Sequence, residues 1–221
     1  IVEPIANDLG WSYAQISLAV SLRGLEVGLL SPVVGILVDR WGPRRLIFAG
    51  AITVALGLVL LSRTQSLATF YGAFILVTTG TSTCTSIVLL ATIAKWFHKR
   101  MGLASGIAVC GFGFGGLLLP IIVGLIDHYE WRMAMVILAL ATLAIVLPMS
   151  FLFRHQPERY GYLPDGEVKD AAMPDHTPTH QSGMEADVPA KLVLKSRTFW
   201  HVTVAFTLQV FGISAVFTHV M

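Results

Sequence analysis

The sequence predicts an all-α protein built as a multi-pass transmembrane helix bundle. The composition is the first reason: 55% of residues are hydrophobic, only 13% are charged, and the mean hydropathy is +0.72. Soluble domains carry about 25% charged residues. The second reason is that the apolar residues gather in runs long enough to cross a bilayer, which takes roughly 20 residues at about 1.5 Å each. The third is that the short polar connectors between the runs sort by charge onto alternate sides.

Taken in order, Ile1 to Gly10 is short and acidic (Glu3, Asp8), and reads as a loop before a helix. Trp11 and Tyr13 follow where an aromatic belt would sit. Helices are expected over 12–38, 44–62, 67–94, 100–126, 131–153 and 198–221. A tight charged knot, Gly35 to Arg45, joins the first two and can only be a hairpin between internally hydrogen-bonded helices. Residues 63–66, 95–100 and 127–130 make the next three turns. The stretch 154–197 is rich in Pro, Asp and His, poor in large apolar residues, and is expected to be a linker with a short amphipathic helix near its end. The chain shows no cleavable signal peptide. Opening at Ile1 and stopping at Met221 inside apolar sequence, it reads as a stretch of a longer protein.

Sidedness follows from the basic residues. The knot (Arg40, Arg44, Arg45), the 95–100 connector (Lys95, Lys99, Arg100) and the linker (Arg154, Arg159, Lys169, Lys191, Lys195, Arg197) hold 12 of the 15 Lys and Arg. Arg63 and Arg132 fall on the other side, and Arg23 lies within a span. The positive-inside rule therefore places 39–45, 95–100 and 154–197 in the cytoplasm of a protein of the cell membrane. A wrongly drawn helix would have scrambled this parity.

A faint repeat runs through the first 153 residues: Gly28, Pro32, Asp39 and Arg44 recur at a constant offset as Gly116, Pro120, Asp127 and Arg132. The two copies end on opposite faces, as inverted repeats do, and chance likeness between apolar segments is the other reading.

Several residues in the spans carry chemistry. Arg23 and Glu26 share a helical face deep in the first run, where ionisable groups cost about 2.5–3.5 kcal/mol each to insert. The readings are that they line a cavity, that Glu26 relays a proton, that Arg23 binds an anion, or that the two form a structural ion pair. Thr78, Thr81, Ser82 and Thr85 form one stripe of a polar segment at mid-membrane. That stripe faces a watery cavity or a neighbouring helix, unless its hydroxyls bond the preceding turn's carbonyls. Gly102/Gly106 and Gly111/Gly115 are small-xxx-small pairs suited to helix packing.

Other classes find little support. Cys84 and Cys110 lie in apolar runs and read as thiols, not as a disulfide. His176 and His180 flank Pro178 in the linker and read as solvated, so no metal and no cofactor is expected. The chain has no phosphate-cradling loop followed by Lys-Ser/Thr, and no catalytic Ser/His/Asp spacing, which argues against an ATP-driven pump and an enzyme. A net charge of +2 does not point to nucleic acid.

The knot, with Gly35, Asp39, Arg40, Gly42, Arg44 and Arg45, resembles the signature between the second and third helices of the major facilitator superfamily. Residues 95–106, with Gly111 and Gly115, resemble the junction of the fourth and fifth helices in its monocarboxylate-porter branch, which includes oxalate/formate antiporters. Trp131-Arg132 fits that branch too, although Glu130 stands where it usually has Gly. Gly102, Gly111 and Gly115 partly match an antiporter signature, but Gly116 replaces its Pro and Leu119 its final Gly, so antiport is not inferred.

The resemblance implies a major facilitator fold: residues 1–153 from the N-terminal half, a cytoplasmic linker at 154–197, and the first span of the C-terminal half at 198–221. It implies a secondary transporter moving a small organic anion through the lipid bilayer by alternating access, with protons or a counter-anion coupled. Asp39, Arg40 and Arg44, with Gly35 and Gly42 allowing close approach, would lock the cytoplasmic ends; a plain orientation signal is the rival reading. The cationic residues that recognise substrate in the characterised carboxylate carriers lie on the first and eighth helices, beyond this stretch. The same fold carrying a drug or sugar, and a non-transporting membrane sensor, are the alternatives.

Overall fold

The computed structural model describes residues 2–84, 86–97, 99–153, 196–201, 203–205 and 207–209. Thr85, most of the expected linker and the end of the expected span 198–221 lie outside these residues. The chain divides into two compact units, Ile1–Asp170 and Ala171–Met221. In the second, the described residues from 197 to 209 are helical, where the last span was expected to begin.

The first unit is a bundle of helices: α1 (Val2–Leu9), α2 (Tyr13–Trp41), α3 (Pro43–Ser62), α4 (Leu67–Cys84), α5 (Ser86–Trp96), α6 (Met101–Leu117) and α7 (Leu119–Leu152). The start of the chain departs from expectation, since residues read as a loop form α1. Its Ile5 and Ala6 are buried against the bundle, and Gly10 closes it at a φ of 66°. Ser12 then opens α2 through a capping box, accepting from the Gln15 amide at 3.3 Å while the Ser12 amide donates to the Gln15 side chain at 3.0 Å. Ser66 and Thr69 cap α4 in the same reciprocal way.

Among the described residues, four helical stretches are long and apolar enough to cross a membrane: Tyr13–Trp41, Pro43–Ser62, Leu67–Trp96 and Met101–Leu152. The last holds 52 residues. Unbroken, that stretch would be about 78 Å long, more than twice a hydrocarbon core of about 30 Å. It is broken instead at Leu118, just ahead of Pro120, and again at Glu130, whose φ of 64° and ψ of 158° are non-helical. The second break separates the spans expected at 100–126 and 131–153.

Two apolar layers hold the bundle, one near each end. Ile5, Ile16, Leu61, Phe70, Trp131 and Met135 belong to the first, and Val34, Val38, Leu46, Ile47 and Val88 to the second, with Val146 and Phe153 packed on it. Since Trp131 lies in one layer and Phe153 by the other, residues 131–152 run the height of the bundle. Arg40, Arg44, Arg45 and Lys95 flank the second layer in sequence, which is the end that the charge asymmetry assigns to the cytoplasm.

Gly42 turns the chain between α2 and α3 at φ 79°, ψ 159°, with Pro43 starting the next helix. Glu130, at the same offset as the repeated Asp and Arg, adopts nearly the same conformation, which is essentially restricted to glycine. The two hairpins of the repeat are thus built alike, one with the residue that this backbone favours and one without. Glu130→Gly is expected to stabilise the chain and Gly42→Ala to destabilise it, each by about 1–3 kcal/mol. Reversible unfolding in detergent measures both; a Gly42→Ala protein as stable as the parent would contradict the turn described.

Candidate functional site

At mid-span, Thr79 on α4 donates a hydrogen bond to the Glu26 carboxylate on α2. A carboxylate at that depth needs a donor, and Thr79 supplies one from the neighbouring helix. Arg23, one turn above Glu26, is exposed, and among the described residues the two form no ion pair. The structural-pair reading of Arg23 and Glu26 therefore does not describe this arrangement. The threonine stripe behaves differently from Thr79. Thr78 and Ser82 are buried and donate to the Phe74 and Thr78 carbonyls, and Thr81 donates to the Val77 carbonyl, all within their own helix. Thr79 was missed because its direction depends on which helix lies beside it, which the spacing alone does not reveal.

At the basic end, Asp39 pairs with Lys95 at 2.8 Å, tying the last turn of α2 to the last turn of α5. The pair is largely open to solvent: the Asp39 side chain is 69% exposed and that of Lys95 28%. Arg40 is exposed, and Arg44 places its guanidinium carbon over the Phe151 ring at the end of α7, 4.5 Å from its centroid, instead of reaching Asp39. Lys95 is the second partner that the motif reading overlooked, though parity already placed it on the same side as the knot. Gly42 is buried in its turn, whereas a Cβ at Gly35 would meet no atom of the described residues within 4 Å.

The opposite end is clasped by Arg132. Its Nη2 contacts Asp8 at 3.1 Å, its Nη1 donates to the Ser62 and Thr64 carbonyls at 3.1 and 3.3 Å, and the Trp131 indole donates to Asp8 at 3.1 Å. A guanidinium on the last carbonyls of α3 complements that helix's negative end. It also gives Asp8, in the short first helix, a fixed seat on the bundle.

The close helix approach lies between α3 and α4. A Cβ built at Gly80 would fall 2.6 Å from the Val54 backbone nitrogen, and one at Gly57 2.8 Å from that of Val77. At Gly50 it would lie 2.6 Å from the Cys84 sulfur. At Gly102, Gly106, Gly111 and Gly115 it would meet no atom of the described residues within 4 Å.

A family model described as the Major Facilitator Superfamily matches residues 1–221. The chain is 32% identical over 165 residues to the Fujikurins efflux protein of Gibberella fujikuroi, covering 70% of this chain and 33% of that protein. It is 32% identical over 145 residues to monocarboxylate transporter 13 of Bos taurus, covering 65% and 32%. With the oxalate:formate antiporter of Oxalobacter formigenes it shares 33% identity over 121 residues, covering 54% and 28%. The chain spans about a third of the length of these relatives.

Proposed function

From the premise that this chain belongs to the Major Facilitator Superfamily, and so is a multi-pass membrane protein, we propose that it forms part of a secondary transporter for a small organic anion. The cargo is a monocarboxylate or dicarboxylate, and protons or a counter-anion are coupled to its movement. One observation carries the reading: an exposed guanidinium, Arg23, stands about 15 Å below the start of α2, one turn from a hydrogen-bonded carboxylate. A cation at that depth is costly unless it faces water or an anion. The names of the monocarboxylate transporter and the oxalate:formate antiporter support the carboxylate class. The efflux protein among the relatives favours a second reading, the same fold carrying a larger solute.

Asp39 and Lys95 are proposed as a cytoplasmic contact that biases the two access states, with Arg40, Arg44, Gly35 and Gly42 around it. Because the pair is so exposed, its worth is at most about 1 kcal/mol, a fivefold effect on a two-state population.

Uptake into sealed proteoliposomes tests both proposals. Labelled lactate, oxalate or formate is expected to enter and to be competed by unlabelled carboxylates, not by sugars or apolar drugs. Binding without flux would replace the carrier with a sensor. In the same assay Asp39→Asn should change the rate by up to about fivefold, and the exchange of Asp39→Lys with Lys95→Asp should restore it. An exchanged pair no better than either single variant would remove the gate.

A further inference from the structure

We propose that the basic end of the bundle holds a binding site for the phosphate headgroup of an anionic phospholipid. A cavity of about 460 Å³ opens between the first turns of α3 and the end of α7, lined by Arg44, Arg45, Phe48 and Phe151. Among the described residues no carboxylate pairs with either arginine, so within that set the two positive charges of the cavity are uncompensated. Its floor is aromatic. Phe48 and Phe151 meet edge to face at 6.4 Å, and the Arg44 guanidinium carbon lies over the Phe151 ring, 4.5 Å from its centroid.

A guanidinium held over an aromatic ring by cation–π attraction still carries a fork of N–H donors, which can grip a phosphate through two parallel hydrogen bonds. The rest of the surroundings fits a lipid better than a free anion. Phe48, Phe151 and Leu152 are 39%, 57% and 70% exposed at the ends of membrane-spanning helices. Acyl chains would therefore run along apolar side chains while the headgroup meets the arginines. The position matches too, because the charge asymmetry places this end at the cytoplasmic leaflet, where anionic lipids attract basic clusters. None of this depends on which solute is carried.

Native mass spectrometry of the chain in mild detergent tests the site, with phosphatidylglycerol and phosphatidylcholine of equal acyl chains as the probes. Phosphatidylglycerol is expected to be retained in preference. The Arg44→Gln/Arg45→Gln variant should weaken it by roughly 30-fold, about fivefold for each arginine. Should that variant lose its helical circular dichroism, Arg44→Lys/Arg45→Lys keeps the charge while removing the fork, and a several-fold loss is expected. Excess inorganic phosphate should fail to displace the lipid. Equal retention of the two lipids by the parent chain, or undiminished binding by either folded variant, would overturn the proposal. Displacement by inorganic phosphate alone would also overturn it, by making this a free-anion site.

Discussion

Gly80→Ala is expected to cost the bundle about 1–3 kcal/mol, and Gly80→Leu to prevent it from assembling. At this position α3 and α4 touch through their backbones: a Cβ would lie 2.6 Å from the Val54 nitrogen and 2.8 Å from the Gly50 carbonyl oxygen. A clash with the far end of a side chain can be relieved by a rotamer change. A clash with two main-chain atoms of a helix cannot, so the helices must separate. Separation loosens the α3 face that carries Ala51 and Ala55, 0% and 4% exposed. Gly106→Ala offers the opposite case, since no atom of the described residues lies within 4 Å of a Cβ built there. There the substitution should be neutral, or stabilise by about 0.5–1 kcal/mol through helix propensity. Thermal unfolding in detergent, followed by circular dichroism, separates the two. A Gly80→Ala protein as stable as the parent would refute the close crossing, and a destabilised Gly106→Ala protein would show that the glycines of α6 do pack against a helix.

The same glycines show how far the sequence could be read. Small-xxx-small spacing says that a helix can approach another closely, not that one stands there. The α6 pairs meet that criterion and, among the described residues, stand clear of their neighbours, whereas Gly50 and Gly57, seven apart on α3, and Gly80 on α4 form no such glycine pair and yet sit at the close crossing. Span positions were legible because a bilayer imposes length and hydropathy on each crossing. The gathering of Arg40, Arg44, Arg45 and Lys95 at one end of the bundle was legible because the loop charges alternate along the chain. The turn at Glu130 was legible as well, since it stands where the porter branch usually has Gly, and the positive φ supplies the reason. Contacts between spans were not. Thr79 and Lys95 each became significant only once α4 and α5 lay beside α2. Nor was α1, which forms because Ile5 and Ala6 find an apolar surface made by residues more than 50 positions away, such as Leu61 and Trp131.

Arg23→Ala should abolish uptake, by thirtyfold or more, while the protein still inserts and folds. The reasoning starts from cost. A guanidinium near the middle of α2 is retained against an insertion penalty of about 2.5–3.5 kcal/mol, and in this bundle no carboxylate among the described residues compensates it. A bound carboxylate would compensate it, and removing one partner of such a desolvated pair costs about 2–5 kcal/mol, hence the expected loss. Glu26 separates recognition from coupling. Glu26→Gln preserves a hydrogen-bond acceptor for Thr79 but can no longer exchange a proton, so it should bind the anion and lose stimulation by an imposed proton gradient. Thr79→Val removes the donor without the carboxylate and should leave the gradient response in place while lowering thermal stability. If Arg23→Ala takes up lactate or oxalate at the parent rate, Arg23 is not in the binding site. If Glu26→Gln retains full gradient stimulation, its carboxylate serves only to join α2 to α4.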